Sequence, residues 1–187
     1  MSRSGADRVA LFIDGAYLDF VQRELGLRSD FKKLIESMKG DIDLLRCYYY
    51  HCPPYQSSPP TEPERERFSA KEKFFYSISS LPRVEVRRGK LEFRGKDANG
   101  NPIFEQKRID ILLGVDLVLL AAKGAITHAC IIAGDSDFLP AIQAAKNEGV
   151  LVHLFHGNSY HRELWNTADE RTLIDKAFIN KIKIKAS

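Results

Sequence analysis

A chain of 187 residues, 44% hydrophobic and 28% charged, is long and apolar enough to bury a sizeable core, and its length favours one domain. A formal net charge of +3 is too small to mark a polyanion partner by itself, and three cysteines do not make a disulfide framework. No segment is apolar over the length needed to span a membrane, and the first residues lack the apolar stretch of a signal peptide. These features exclude membrane association and predict a cytoplasmic protein in a reducing compartment.

Taken in order, residues 1–7 read as a disordered lead-in to a single domain over 1–187. Residues 9–13 are continuously apolar and predict a strand, ended by Asp14 and by Gly15, which permits a tight turn. Tyr17, Leu18, Phe20, Val21 and Leu25 then recur with helical spacing. A second helix is predicted over 30–39, closed by Gly40. Residues 42–51 are β-rich and predict the second strand, with Tyr48, Tyr49 and Tyr50 assigned to the core and base stacking as the alternative. Cys47, His51 and Cys52 cluster there, but no second Cys or His pair completes a zinc site, so they are read as structural.

Residues 53–63 carry Pro53, Pro54, Pro59, Pro60 and Pro63 and predict an exposed loop, followed by a helix over 64–81. Residues 84–94 alternate with period two and predict a strand whose polar positions are mostly cationic. From 83 to 108 there are eight cations against four acids, a larger excess than that of the whole chain. Phosphate contact and a solvated edge guarded by charge both account for it. Residues 97–102 predict a hairpin tip.

The helix predicted over 109–122 is apolar almost all round, which implies burial. Asp116 shares a face with Leu112, Leu113, Leu119 and Leu120. A lone buried carboxylate costs several kcal/mol after relaxation, so it must be paired, protonated or metal-bound. Lys107, Arg108 and Lys123 are the nearby cations for a structural pair. Asp110, at the helix start, is either a cap or a further acid.

Residues 130–132 predict a buried strand, and Gly134-Asp135-Ser136-Asp137-Phe138 follows, with Pro140 in the first turn of the next helix. One helix needs one cap, and Asp135, Ser136 and Asp137 offer three. Residues 150–155 predict another strand, making a right-handed βαβ unit. Asp14 and Asp135 thus both end strands, at the edge where open parallel sheets bind ligands. Residues 156–161 follow a strand and approach the same edge, and residues 180–185 read as an edge strand or a tail. The pattern predicts an α/β, three-layer fold with a mainly parallel sheet.

Phe12-Ile13-Asp14-Gly15, Lys107-Arg108-Ile109-Asp110 with Asp116 six residues on, and Gly134-Asp135-Ser136-Asp137-Phe138 resemble the NYN domain, in its LabA-like (DUF88) branch of the PIN-like nuclease superfamily. The resemblance covers residues 9–155. It implies a PIN-like, Rossmann-like fold and a Mg²⁺- or Mn²⁺-dependent endoribonuclease. Asp14, Asp116, Asp135 and Asp137 would be catalytic and hold metal, with Asp110 a fifth metal candidate. RNA would be the partner, met by Ser136, Lys107, Arg108, Arg87, Arg88 and Arg94, with a homodimer left open. Many members have Asn where this chain has Tyr17, so a contact through that amide is not carried over.

The chemistry is consistent: Mg²⁺ and Mn²⁺ take carboxylate oxygens and activate water for phosphodiester attack. A haloacid-dehalogenase phosphatase needs a second Asp where Ala16 stands, and a sugar-nucleotide transferase leaves Asp14 and Asp116 unexplained. The rival from another class is a weakly active or inactive module that grips RNA or a protein partner.

Overall fold

The computed structural model describes residues 6–100 and 102–184. Its centre is a six-stranded sheet in which every pairing is parallel. The strands are β1 (Arg8–Asp14), β2 (Asp43–His51), β3 (Val84–Arg88), β6 (His128–Ile132), β7 (Leu151–His156) and β8 (Glu170–Leu173), in the order β3-β2-β1-β6-β7-β8. A separate antiparallel hairpin holds β4 (Lys90–Lys96) and β5 (Pro102–Lys107). The order runs one way from β1 to β3 and the other way from β6 to β8. The switch point therefore lies between β1 and β6, where such sheets bind ligands.

Among the described residues seven helices cover the two faces: α1 (Gly15–Leu25), α2 (Phe31–Lys39), α3 (Glu62–Ser79), α4 (Ile109–Ala122), α5 (Leu139–Asn147), α6 (Arg162–Thr167) and α7 (Lys176–Ile182). Alternation along β1 assigns its side chains to two cores. Ala10 and Phe12 pack with Leu113, Leu117 and Ala121 of α4, Ile142 of α5 and Leu164 of α6. Val9, Leu11 and Ile13 pack with Leu18 and Val21 of α1, Leu34 and Met38 of α2, Phe75 of α3 and Ile179 of α7. The five apolar side chains of β1, Val9 to Ile13, are fully buried, which the continuous apolar run requires of a central parallel strand. Tyr48, Tyr49 and Tyr50 are buried, as core residues.

The structure alters four expectations from the sequence. The period-two stretch of 84–94 is two strands, because the chain crosses at Gly89: its N–H donates to the His51 carbonyl (3.1 Å), and a Cβ there would lie 2.6 Å from the Lys107 carbonyl oxygen. α3 starts at Glu62 with Pro63 in its first turn, a position where proline lacks no needed donor. Most of the proline-rich loop before it is half-buried rather than exposed, with Tyr55 packed on Phe93 and Phe104 of the hairpin. Asn180 lies in α7, which Asp175 caps by accepting from Phe178 N (2.7 Å) and which buries Ile179 and Ile182 three residues apart. Residues 1–5, Asn101 and Lys185 of the predicted lead-in, hairpin tip and tail lie outside the described residues. Among the described residues no helix is long and apolar enough to cross a membrane.

Candidate active site

Asp14 ends β1 and caps α1: its Oδ1 accepts from the N–H of Ala16 (3.0 Å) and of Tyr17 (3.1 Å). The turn is tight because the Gly15 position is occupied from below. A Cβ there would lie 2.5 Å from the Tyr49 hydroxyl and 2.6 Å from Cδ2 of His51. Burial raises the Asp14 carboxyl to about 6 against the pull of its two backbone donors, and the Asp110 carboxylate adds to the rise. Asp110, in the first turn of α4, is itself raised, by burial first and then by Asp137 and Asp135.

Asp135 follows β6 and caps a short 3₁₀ turn, Ser136–Phe138, accepting from Asp137 N at 3.2 Å through Oδ1. The capping role is thus real, but it occupies one acid of the motif. Asp137 is exposed in that turn. Four acids from three elements, Asp14, Asp110, Asp135 and Asp137, therefore stand within electrostatic reach at the switch point. Asp19, Asp116 and Asp169 each pair with a cation, and none of these four does among the described residues.

Asp116 is not in that group. At 1.5 Å rise per residue it sits about 9 Å further along α4 than Asp110. It accepts from the Tyr50 hydroxyl (2.9 Å) and pairs with Arg87 Nε (3.0 Å). The structure thus gives Asp116 an ion pair, the alternative that the sequence also offered, with the cation coming from β3 rather than from Lys107, Arg108 or Lys123. Sequence reasoning searched the flanks of α4, whereas Arg87 lies opposite Tyr50 in the sheet register, 29 residues before Asp116.

The cations of the basic stretch are also engaged. Arg87 reaches Glu85 as well as Asp116, and Arg88 pairs with Glu72 of α3 (3.0 Å). Arg94 pairs with Glu105 (2.5 Å) and Glu92 (3.3 Å), and Lys107 pairs with Glu105. Arg108 holds a left-handed backbone conformation (φ 78°) at the start of α4 and makes no ion pair among the described residues. Ser136 lies beside Asp135, its hydroxyl 3.5 Å from Oδ1.

Asp19 and Lys71, which the sequence did not single out, join His51 and Tyr17 beside the Asp14 turn. Asp19 on α1 binds Lys71 (2.7 Å) and His51 Nε2 (3.0 Å). Burial alone would raise its carboxyl, but the bonds from His51 and Lys71 outweigh burial and hold it at about 2. His51 Nδ1 lies 2.6 Å from the Cys52 carbonyl oxygen. Asp19 is one residue before Phe20 on a helix with an apolar stripe, and nothing local marks it. Tyr17 donates to the Ser159 carbonyl (2.6 Å) and accepts from Gly157 N (2.9 Å), tying the segment after β7 to α1. As expected, that segment reaches the edge: Ser159, Tyr160 and His161 join Asp14, Phe20 and Asp135 around a cleft of about 500 Å³.

Among the described residues no three His, Cys, Asp or Glu side chains converge closely enough to hold a metal ion by themselves. The donors present are nonetheless hard carboxylate oxygens without counter-cations. Mg²⁺ is usually held by one or two carboxylates, with waters and substrate phosphate completing its shell, so the donor set fits such an ion.

Comparison with known proteins agrees with this architecture. A crystal structure of a protein of unknown function from Vibrio parahaemolyticus, VPA0982, superposes with a TM-score of 0.63 at 14% identity, covering 96% of this chain and 99% of the other. That likeness shows the fold. The uncharacterized protein y4oD of Sinorhizobium fredii is 32% identical over 78 residues, which span 42% of this chain and 32% of the relative's length. The NYN domain model matches residues 8–175, from the first residue of β1 to the cap of α7 and through all four clustered acids. The chain belongs to the NYN domain family, a PIN-like nuclease family.

Proposed function

We propose that this chain is an endoribonuclease of the LabA-like branch that hydrolyses RNA phosphodiesters with Mg²⁺ or Mn²⁺ held among Asp14, Asp110, Asp135 and Asp137. The observation that carries the reading is the group of four unpaired carboxylates at the β1–β6 switch point, where Asp14 and Asp110 are raised by burial and by neighbouring carboxylates. A fold tolerates such repulsion where a cation relieves it. When bound, the ion supplies an activated water and stabilises charge on the departing oxygen.

The chain's own residues supply position and proton control. The first turn of α1 fixes one oxygen of Asp14 through two backbone donors, and Asp135 is fixed in the same way by Asp137 N. Asp14, which burial raises to about 6, is the carboxyl whose ionised form a bound cation would favour most. Asp116 positions rather than reacts: through Tyr50 and Arg87 it locks α4 onto β2 and β3, and so sets where Asp110 stands. Lys71 and His51 hold Asp19 beside the Asp14 turn and keep it out of the acid group.

The test is cleavage of a single-stranded RNA with Mn²⁺ by wild type, Asp135→Asn and Asp137→Asn. Both variants are expected to lose roughly 10²–10³-fold in rate, the scale for removing one preorganised electrostatic contact. Wild-type rates in both variants would overturn the proposal. A wild type that binds this RNA without cleaving it would be the binding module instead, the reading favoured by the incomplete convergence of the acids.

A further inference from the structure

We propose that the cleft beside Asp14 and Asp135 is a nucleobase subsite, walled by Phe20 of α1 and Tyr160 after β7, that takes one unstacked base of a single-stranded RNA. The inference deepens the nuclease reading and rests on it for the identity of the polymer.

The chemistry of the walls decides what enters. Asp14, Asp135 and His161 are the titratable groups that line the cleft beside its aromatic rings, and without a bound cation the two carboxylates disfavour a phosphate there and leave a neutral flat group unopposed. Large aromatic side chains are normally buried, yet Phe20 is 37% exposed and Tyr160 40% exposed, and both line this one cleft. Exposed aromatic faces beside a backbone-binding site are stacking platforms for bases. A base within a duplex is covered on both faces by its neighbours, so only a single-stranded or splayed nucleotide offers a face to these rings.

The subsite is also built in advance. Phe20 is backed by Tyr17, ring centroids 6.4 Å apart at 27°. Tyr160 is backed by the buried His156 edge-on at 4.5 Å and by Trp165 at 6.4 Å. The segment that carries Tyr160 is fastened on both sides, by Tyr17 to Gly157 and Ser159 and by His161 N to the Gly134 carbonyl (2.9 Å). Gly134 itself must be glycine, since a Cβ would overlap the Tyr17 ring. Rings already ordered by their neighbours lose little freedom when a base stacks on them.

Tyr17 thus has a second consequence. Its hydroxyl holds the segment that carries Tyr160 while its ring packs on Phe20, so Tyr17 joins both walls of the subsite.

The experiment measures binding of short single-stranded oligoribonucleotides by fluorescence anisotropy in EDTA, so that it does not depend on turnover. One set is intact and another lacks a single base at each position in turn. In wild type, removing the base at one position should weaken binding about tenfold, the value for 1.4 kcal/mol within the range known for one base–aromatic stack. In the Phe20→Leu/Tyr160→Leu variant, folded as judged by an unchanged melting temperature, the same missing base should cost nothing. Equal losses in variant and wild type, or an intact strand that fails to bind at millimolar concentration, overturn the subsite. The outcome is separate from the nuclease test: a chain that discriminates the base in EDTA but never cleaves with Mn²⁺ keeps the subsite and loses the catalytic reading.

Discussion

Two regions of this molecule are dense in charge and resolve it in opposite ways. At the β1–β6 edge, Asp14, Asp110, Asp135 and Asp137 share one neighbourhood with no ion pair among the described residues, and Asp14 and Asp110 hold their protons more tightly than ordinary carboxylates. On β3 and the β4–β5 hairpin, Arg87, Arg88, Arg94 and Lys107 each face a carboxylate partner. Like charges gathered without relief are costly to keep and call for an external partner. Opposite charges interleaved along a surface need none. A count of charges along the chain gives both stretches equal interest, and their pairing separates them.

The comparison is sharpened first at the residue where the two regions meet. Asp116 belongs to the paired class, so Asp116→Ala strands Arg87 and leaves the Tyr50 hydroxyl unsatisfied. We expect a loss of about 2–3 kcal/mol in denaturant unfolding, below the range for fully buried pairs because Arg87 is partly exposed. Cleavage by the folded fraction should fall through displacement of Asp110, by less than in Asp110→Asn itself. A stable variant that has lost activity would place Asp116 with the reactive acids after all.

A second prediction uses pH. Asp14 binds its proton more tightly folded than unfolded, so its contribution to stability is complete below the ordinary carboxylate range and is lost as pH rises through about 6. Asp14→Asn removes that loss while retaining an acceptor for the α1 cap. In EDTA, going from pH 5 to pH 7 should therefore favour the variant over wild type by on the order of 1–2 kcal/mol, discounted for partial exposure. Comparing the two proteins cancels His153, which burial lowers and whose effect on stability with pH has the opposite sign. A difference independent of pH would mean that Asp14 is not strained by its surroundings.

The smallest effect is expected on the hairpin side. Arg88→Gln and Arg94→Gln remove exposed pairs, worth between zero and about 1 kcal/mol each. Because these cations already have partners, the slope of RNA affinity against salt should change by less than about one unit per residue. A full unit lost at each would restore them as phosphate contacts.

The sheet was legible in the sequence because buried parallel strands are apolar runs, as 9–13 and 130–132 are throughout and 150–155 is apart from His153. So were Asp14 and Asp135, since each stops such a run at a strand-to-helix turn. What the sequence concealed depends on register. Arg87 meets Asp116 only because β3 lies beside β2 and Tyr50 stands between them. Asp19, His51 and Lys71 come from α1, β2 and α3 and meet across 52 residues of chain. The break at Gly89 was legible after all, since the apolar positions change phase from Val84 and Val86 to Leu91 and Phe93 across Arg88-Gly89-Lys90, whereas β8 and α6 are too short to show a period.

The central claim is that the four unpaired acids await a cation, and thermal unfolding with added Mn²⁺ tests it most directly. At a concentration 100 times the dissociation constant, binding stabilises the folded chain by about 2.7 kcal/mol, which for a chain of this length raises Tm by about 5–10 °C. We predict that rise in wild type and most of it lost in Asp14→Asn and Asp110→Asn. An unchanged Tm in wild type at millimolar Mn²⁺, or an equal rise in both variants, would contradict it.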